Sequence, residues 1–136
     1  LRFIFEKKIK NGEMGAFVIS KRLNGTYKFI FASRKGKTIF TSLSCKHKSD
    51  CEEMIQAFQA QWERFTLTQS KASGGKFFFR LTKDGLVLAT SRKYTTERLL
   101  QKGIEEIARS IAKAEVLDFS DQESIFPDAA MVFSEE

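Results

Sequence analysis

Cys45-Lys-His47-Lys-Ser-Asp50-Cys51 gathers two thiols, an imidazole and a carboxylate within seven residues, and these are ligand types that zinc accepts. The spacing argues against a metal. Neither the C-x-x-C nor the H-x-x-x-H arrangement that sets ligands on a knuckle or a helix face occurs, and the matching stretch later in the chain has Tyr94, Thr96, Leu99 and Leu100. The cysteines therefore read as thiols, Cys51 buried and Cys45 packed beside it, without a disulfide in a reducing compartment. Catalysis would need a nucleophile beside a base, a carboxylate pair, or a glycine loop that cradles phosphate. His47 has no acid to orient it, Gly74-Gly75 lacks the flanking helix and Lys-Ser/Thr of a phosphate loop, and Glu105-Glu106 reads as a solvated helix face. No catalytic residue, cofactor site or metal site is legible.

Cations are the better lead. Lys21, Arg22, Lys28, Arg34, Lys35 and Lys37, followed by Lys46 and Lys48, fall on predicted strands and turns beside Tyr27 and Phe40. Cations near aromatics on a sheet are the ingredients of single-stranded nucleic-acid binding. Against this, Tyr27 shares a strand face with Phe29 and Phe31 and so belongs to the core, and lysines on turns are ordinary solubilising residues. The leading reading is a small non-catalytic interaction module that binds a protein partner or itself. The alternative is binding of nucleic acid or another polyanion through the basic first part of the chain.

The net charge of +6 hides a gradient: residues 1 to 49 hold twelve Lys or Arg against two acids, whereas Ala114 to Glu136 holds seven acids and no Lys or Arg. Such halves attract an external partner or each other. Fourteen Phe with a single Pro in 136 residues describe an ordered globular chain, large enough to bury roughly two-thirds of its unfolded surface. No apolar run approaches the ~18 residues of a membrane helix. Leu1 to Phe5 lacks the marks of a secretory signal, so the expected location is the cytoplasm.

The elements that must position these side chains come in two sets. Gly25 to Ser42, GTYKFIFASRKGKTIFTS, returns as Gly75 to Ser91, GKFFFRLTKDGLVLATS, with the second turn one residue shorter. Tyr27, Phe29 and Phe31 alternate with their neighbours, as do Phe77, Phe79 and Leu81, which is the period of a half-buried strand. Phe17 to Leu23 supplies a strand before the first copy, with Asn24-Gly25 as a two-residue hairpin turn. Phe65 to Thr68 does the same for the second. Ser49-x-x-Glu52 predicts a capping box and a helix from Asp50 to Glu63, whose buried stripe is Cys51, Met54, Ile55, Phe58 and Trp62. A second helix should open at Thr95 or Thr96 and bury Leu100, Ile104, Ile107 and Ile111. Gly103 within it implies a close approach of helix to sheet. Ala114 to Ser120 alternates as one more strand.

The organisation expected is an N-terminal extension over residues 1–14 with the pattern of an added strand, repeats over 15–63 and 64–120, and an acidic tail over 121–136. Met14-Gly15 is an alternative start. The fold class is α+β: tandem β-β-β-α-β repeats forming a single antiparallel sheet with two helices packed on one face. Ile30 and Phe78 then point away from the helices and would form an apolar patch for a partner unless the tail covers it.

GAFVISKRLNGTYKFIF, GKTIFTS, ATSRKYTTERLLQKGIEEI and AEVLDFS carry a family resemblance over about Gly15 to Ser120. The chain resembles the YegP-like uncharacterised bacterial domains of roughly fifty residues that often occur in tandem. The resemblance implies one sheet with exchanged terminal strands, and it offers no activity to transfer. Cys45 stands where the family has the tyrosine seen as Tyr94, and Met54 where it has the glycine seen as Gly103.

Overall fold

The computed structural model describes residues 15–120, so the expectations for residues 1–14 and 121–136 lie outside the described residues. In chain order the elements are β1 (Ala16–Lys21), β2 (Tyr27–Ala32), β3 (Thr38–Ser42), α1 (Lys48–Ala60), β4 (Thr66–Lys71), β5 (Phe77–Lys83), β6 (Leu86–Ser91), α2 (Glu97–Ser110) and β7 (Glu115–Asp118). The seven strands form one sheet in the order β4-β5-β6-β3-β2-β1-β7. Over the described residues the protein is thus α+β, one sheet with two helices.

The sheet is not wholly antiparallel. β7 pairs with β1 in parallel, Ala16 opposite Glu115 and Ile19 opposite Asp118. The reason is the route: β1/β2, β2/β3 and β3/β6 are each antiparallel, so β6 points opposite to β1, and α2 turns the chain back so that β7 runs with β1. β3 and β6 join antiparallel at the centre through Phe40–Ser91, Thr41–Thr90 and Ser42–Ala89. On either side of that seam a serine hydroxyl takes over a strand bond: Ser42 Oγ accepts from Phe29 N–H at 2.9 Å and Ser91 Oγ from Phe79 N–H at 2.8 Å.

The turns correct the reading at Asn24-Gly25. Arg22 N–H donates to Thr26 O at 2.7 Å and Gly25 N–H to Arg22 O at 3.0 Å, so the loop holds three residues, with Gly25 at φ +89° as its last. The Asn24 side chain explains the extra residue, because its Oδ1 accepts from Thr26 N–H at 3.0 Å and satisfies a turn donor locally. The β5–β6 turn is the two-residue one. Asp84 and Gly85 both take positive φ, 53° and 81°, as a tight hairpin demands.

One core lies between the sheet and both helices. Phe17, Ile19, Phe29, Phe31, Phe40, Phe79 and Leu81 meet Cys51, Ile55 and Phe58 of α1 and Leu100 and Ile107 of α2. Phe58 sits at its centre, within 6.2 Å of the Phe29, Phe40, Trp62 and Phe65 rings. A second, smaller cluster fills the opposite face, made of Ala16, Val18, Ile30, Ala32, Leu117 and Phe119. Ile30 is 1% exposed, so the patch expected there is interior.

The helices depart from their predicted ends. α1 begins at Lys48 behind His47, whose side chain makes no capping bond, and the Ser49–Glu52 box does not form. Cys45 bridges Tyr27 and ties the chain down three residues before the helix, which places Ser49 one residue inside it. α2 opens as predicted, with Thr96 Oγ1 accepting from Leu99 N–H at 3.1 Å. Trp62 falls in a short 3₁₀ turn after α1 and is half-buried, unlike Ile111 at 2% exposure. Of these two residues expected on buried stripes, Ile111 is the one fully enclosed.

Candidate functional site

The site forms where the β2–β3 turn meets the start of α2. Ser33 N–H donates to Lys37 O at 2.8 Å and Gly36 N–H to Ser33 O at 2.9 Å, while Ser33 Oγ accepts from the backbone of Lys35 and Lys37. The turn is therefore fixed by its own backbone, and Arg34, Lys35 and Lys37 are left exposed. Across the β3–β6 seam, Arg92 N–H donates to Ile39 O at 2.9 Å, and Tyr94 exchanges both backbone bonds with Phe77 at 2.7 and 2.8 Å. This brings Arg92, Lys93 and Tyr94 beside the turn.

Gly103 lets Tyr94 lie on α2. A Cβ at position 103 would stand 2.5 Å from the Tyr94 hydroxyl oxygen and 3.0 Å from the ring carbon bearing it. The close approach inferred from this glycine is thus made by a phenol and not by the sheet backbone. Burial raises the Tyr94 pKa; Arg92 opposes that shift and Glu106 adds to it. The phenol stays protonated at neutral pH and acts as packing.

The resulting cleft has a volume of about 330 Å³ and is lined by Lys37, Ile39, Arg92, Lys93, Tyr94, Lys102 and Glu106, among others. Glu106 is the sole carboxylate among its described lining residues. Lys37, Arg92, Lys93 and Lys102 make no ion pair within the described residues, whereas Lys48 on the far side is paired with Asp118 at 3.1 Å. The Arg92 guanidinium lies 5.6 Å from the Tyr94 ring centre, and its Nε is buried without a hydrogen-bond partner. A neighbouring hollow of about 710 Å³, reached past Ser33 and Glu106, adds Arg34, Lys35 and Arg109.

Of the six cations singled out from the sequence, the structure brings Arg34, Lys35 and Lys37 to this end of the sheet. Lys21, Arg22 and Lys28 lie at the other end of the β1–β2 hairpin, about 20 Å away along the six residues of β2. There the Lys21 ammonium stands 5.8 Å from the Tyr27 ring centre. Lys28 is 3% exposed, and burial together with Arg22 lowers its pKa to about 8. Phe40 is fully buried and Tyr27 half-buried, so neither offers a stacking platform.

Arg92, Lys93, Lys102 and Arg109 were not legible as site residues. The available signal was the pair Lys102 and Arg109, seven residues apart and so on one helix face. Cys45 and Cys51 are buried free thiols, and burial pushes the Cys51 thiol up to about 12. His47 is exposed, and among the described residues no group of three metal-ligating side chains converges.

The comparisons with known proteins place this geometry in a family. The family described as "Domain of unknown function (DUF1508)" matches residues 72–118. A UPF0339 protein of Acinetobacter baylyi is 30% identical over 113 residues, covering 78% of this chain and 97% of the relative. The UPF0339 protein YegP of Escherichia coli is 29% identical over 97 residues, covering 68% and 86%. The chain belongs to the UPF0339, YegP-like family. The solution NMR structure of the E. coli protein, described as of unknown function, aligns with a TM-score of 0.69 at 27% identity, over 79% of this chain and 94% of that one. A UPF0339 protein of Shewanella oneidensis aligns at 0.68 with 22% identity, over 79% and 93%, a likeness of fold. The family is uncharacterised, and no activity is stated for these relatives. Among the described residues no helix is long and apolar enough to cross a membrane.

Proposed function

We propose that the protein is a small non-catalytic interaction module of the cytoplasm that recognises anionic groups at the cleft between the β2–β3 turn and α2. The observation that carries this reading is the set of Lys37, Arg92, Lys93 and Lys102 around one cleft with no ion pair among the described residues. Surface cations normally scatter or pair; four that converge unpaired leave a positive potential that an anionic partner lowers. We take the scaffold to be two copies of one unit, over 15–63 and 64–120. The equivalent serine bonds at Ser42 and Ser91 and the equivalent bridges at Cys45 and Tyr94 support this.

The nucleic-acid alternative draws on the same charge and fits the layout less well, because the cations form two clusters separated by the length of β2 instead of one continuous track. The test is a pull-down from native cytosol with the wild-type chain and with a Lys37→Glu, Lys102→Glu variant. The expected result is an anionic species held by the wild type, lost by the variant and recovered chemically unchanged. Conversion of the captured species, or equal capture by both chains, would sink the proposal.

A further inference from the structure

We propose that the 330 Å³ cleft is a receptor for a compact phosphate-bearing di- or trianion, an inference that rests on the cleft being the module's binding surface. Four cations against one carboxylate leave the lining with an excess of about three positive charges. A phosphomonoester carries nearly two negative charges at neutral pH, and a diphosphate carries more. Size points the same way. About 330 Å³ lies at the small end of ligand sites and is enough for a diphosphate or a small phosphomonoester.

The donors suit tetrahedral oxygens. Arg92 presents a planar guanidinium held against the Tyr94 ring, and its Nε is desolvated with no acceptor among its neighbours. A buried donor in that state is rare in a folded protein unless water or a ligand answers it. Guanidinium groups bind phosphate oxygens as a fork, and lysines at 37, 93 and 102 close the site as point charges. Lys93 and Lys102 flank the cleft from the chain entering α2 and from α2 itself, so an anion between them bridges both. Glu106 sits within this ring as a repulsive element that weakens the binding of every anion.

The experiment is isothermal titration calorimetry of the full chain with inorganic pyrophosphate, with citrate and a mixed-sequence single-stranded DNA as the other arms. The expected result is saturable one-to-one binding of pyrophosphate, weakened roughly 10- to 100-fold by Arg92→Gln. Lys102→Gln, on the exposed side of α2, should weaken it in the same direction, Glu106→Gln should tighten it, and Lys76→Gln outside the cleft should leave it unchanged. Thermal melts of each variant separate lost binding from lost folding. Absence of saturable pyrophosphate binding, or binding indifferent to both Arg92→Gln and Lys102→Gln, overturns the inference. Citrate or DNA bound more tightly than pyrophosphate, and weakened by Lys102→Gln, also overturns it but leaves the interaction module standing. Pyrophosphate recovered as phosphate would overturn the non-catalytic reading instead.

Discussion

The two halves of the sheet share one sequence alternation and differ in what their second face meets. On the helix side the equivalence is close: Phe29 and Phe31 correspond to Phe79 and Leu81, all fully buried. On the other side Ile30, at 1% exposure, corresponds to Arg80, which is exposed and lies 4.9 Å over the Phe78 ring. Lys28, nearly buried, corresponds to Phe78, half-buried. The edges differ too: β1 is covered by β7, while β4 ends the sheet with a polar strand closed by Lys71, a composition that discourages edge pairing. A period of two therefore decides which side chains share a face. Whether the second face meets solvent is decided by the residues placed on it: Val18, Ile30 and Ala32 in one half, Thr68, Arg80 and Thr90 in the other.

The hardest test of that comparison is to separate the halves. A fragment of residues 64–120 loses the β3 partner of β6 and the β1 partner of β7, and three strands with one helix make a small core. Circular dichroism and light scattering should find it unfolded or dimeric, and a stable folded monomer would show that the halves are independent. Next in size is an exchange of face residues. Ile30→Arg should cost more than about 3 kcal/mol in denaturant melts, because it empties a packed site and buries an unpaired charge. Arg80→Ile should cost about 1 kcal/mol or less, little beyond its contact with Phe78. Equal costs would erase the distinction between the two faces.

The helix-facing core was legible because Phe17, Phe29, Phe31, Phe79 and Leu81 obey a local period, and so do Cys51, Ile55 and Phe58 on α1. The parallel entry of β7 was not, since strand direction depends on where α2 deposits the chain. Ile30 was read as outward, correctly, but an outward position says nothing of what lies over it. The site was half legible for a related reason. Arg34, Lys35 and Lys37 sit together in the sequence, whereas Arg92 and Lys102 join them only through the β3–β6 seam. The Ser49–Glu52 box shows the converse: a valid local pattern lost to the Cys45–Tyr27 bridge, while Thr96, two residues beyond the equivalent bridge, does cap its helix.

Position 28 gives a smaller and pH-dependent effect. Burial and Arg22 hold the Lys28 amine at about 8 in the folded chain, against an ordinary 10.5. The unfolded chain thus binds more protons between about 8 and 10.5, so this lysine makes stability rise with pH across that window and penalises folding fully below it. The buried Cys51 thiol, raised from 9.0 to about 12, works in the opposite sense above about 9. Between pH 8 and 9 the lysine acts without that opposition. Urea midpoints measured there should rise with pH for the wild type and flatten in Lys28→Met. An unchanged slope in the variant would place the titrating group elsewhere.

The smallest effect expected is on nucleic acid, and it bears on the two ends of the β1–β2 hairpin. A continuous basic track would gather many phosphates and give a steep salt dependence, about −0.7 in log affinity per log salt for each phosphate contacted on a single strand. Here Arg34, Lys35 and Lys37 belong to one end and Lys21, Arg22 and Lys28 to the other, with buried strand between them, and Lys28 is withdrawn from the surface. The acidic residues 121–136 add like charge against any phosphate ligand. A salt titration of the full chain with mixed-sequence single-stranded DNA or RNA should therefore give weak binding with a slope of about −2 or shallower. A chain lacking residues 121–136 should bind somewhat more strongly, since it is more cationic. Tight binding by the full chain with a steep slope would mean that the two basic ends act as one surface, and it would raise the nucleic-acid reading above the compact-anion one.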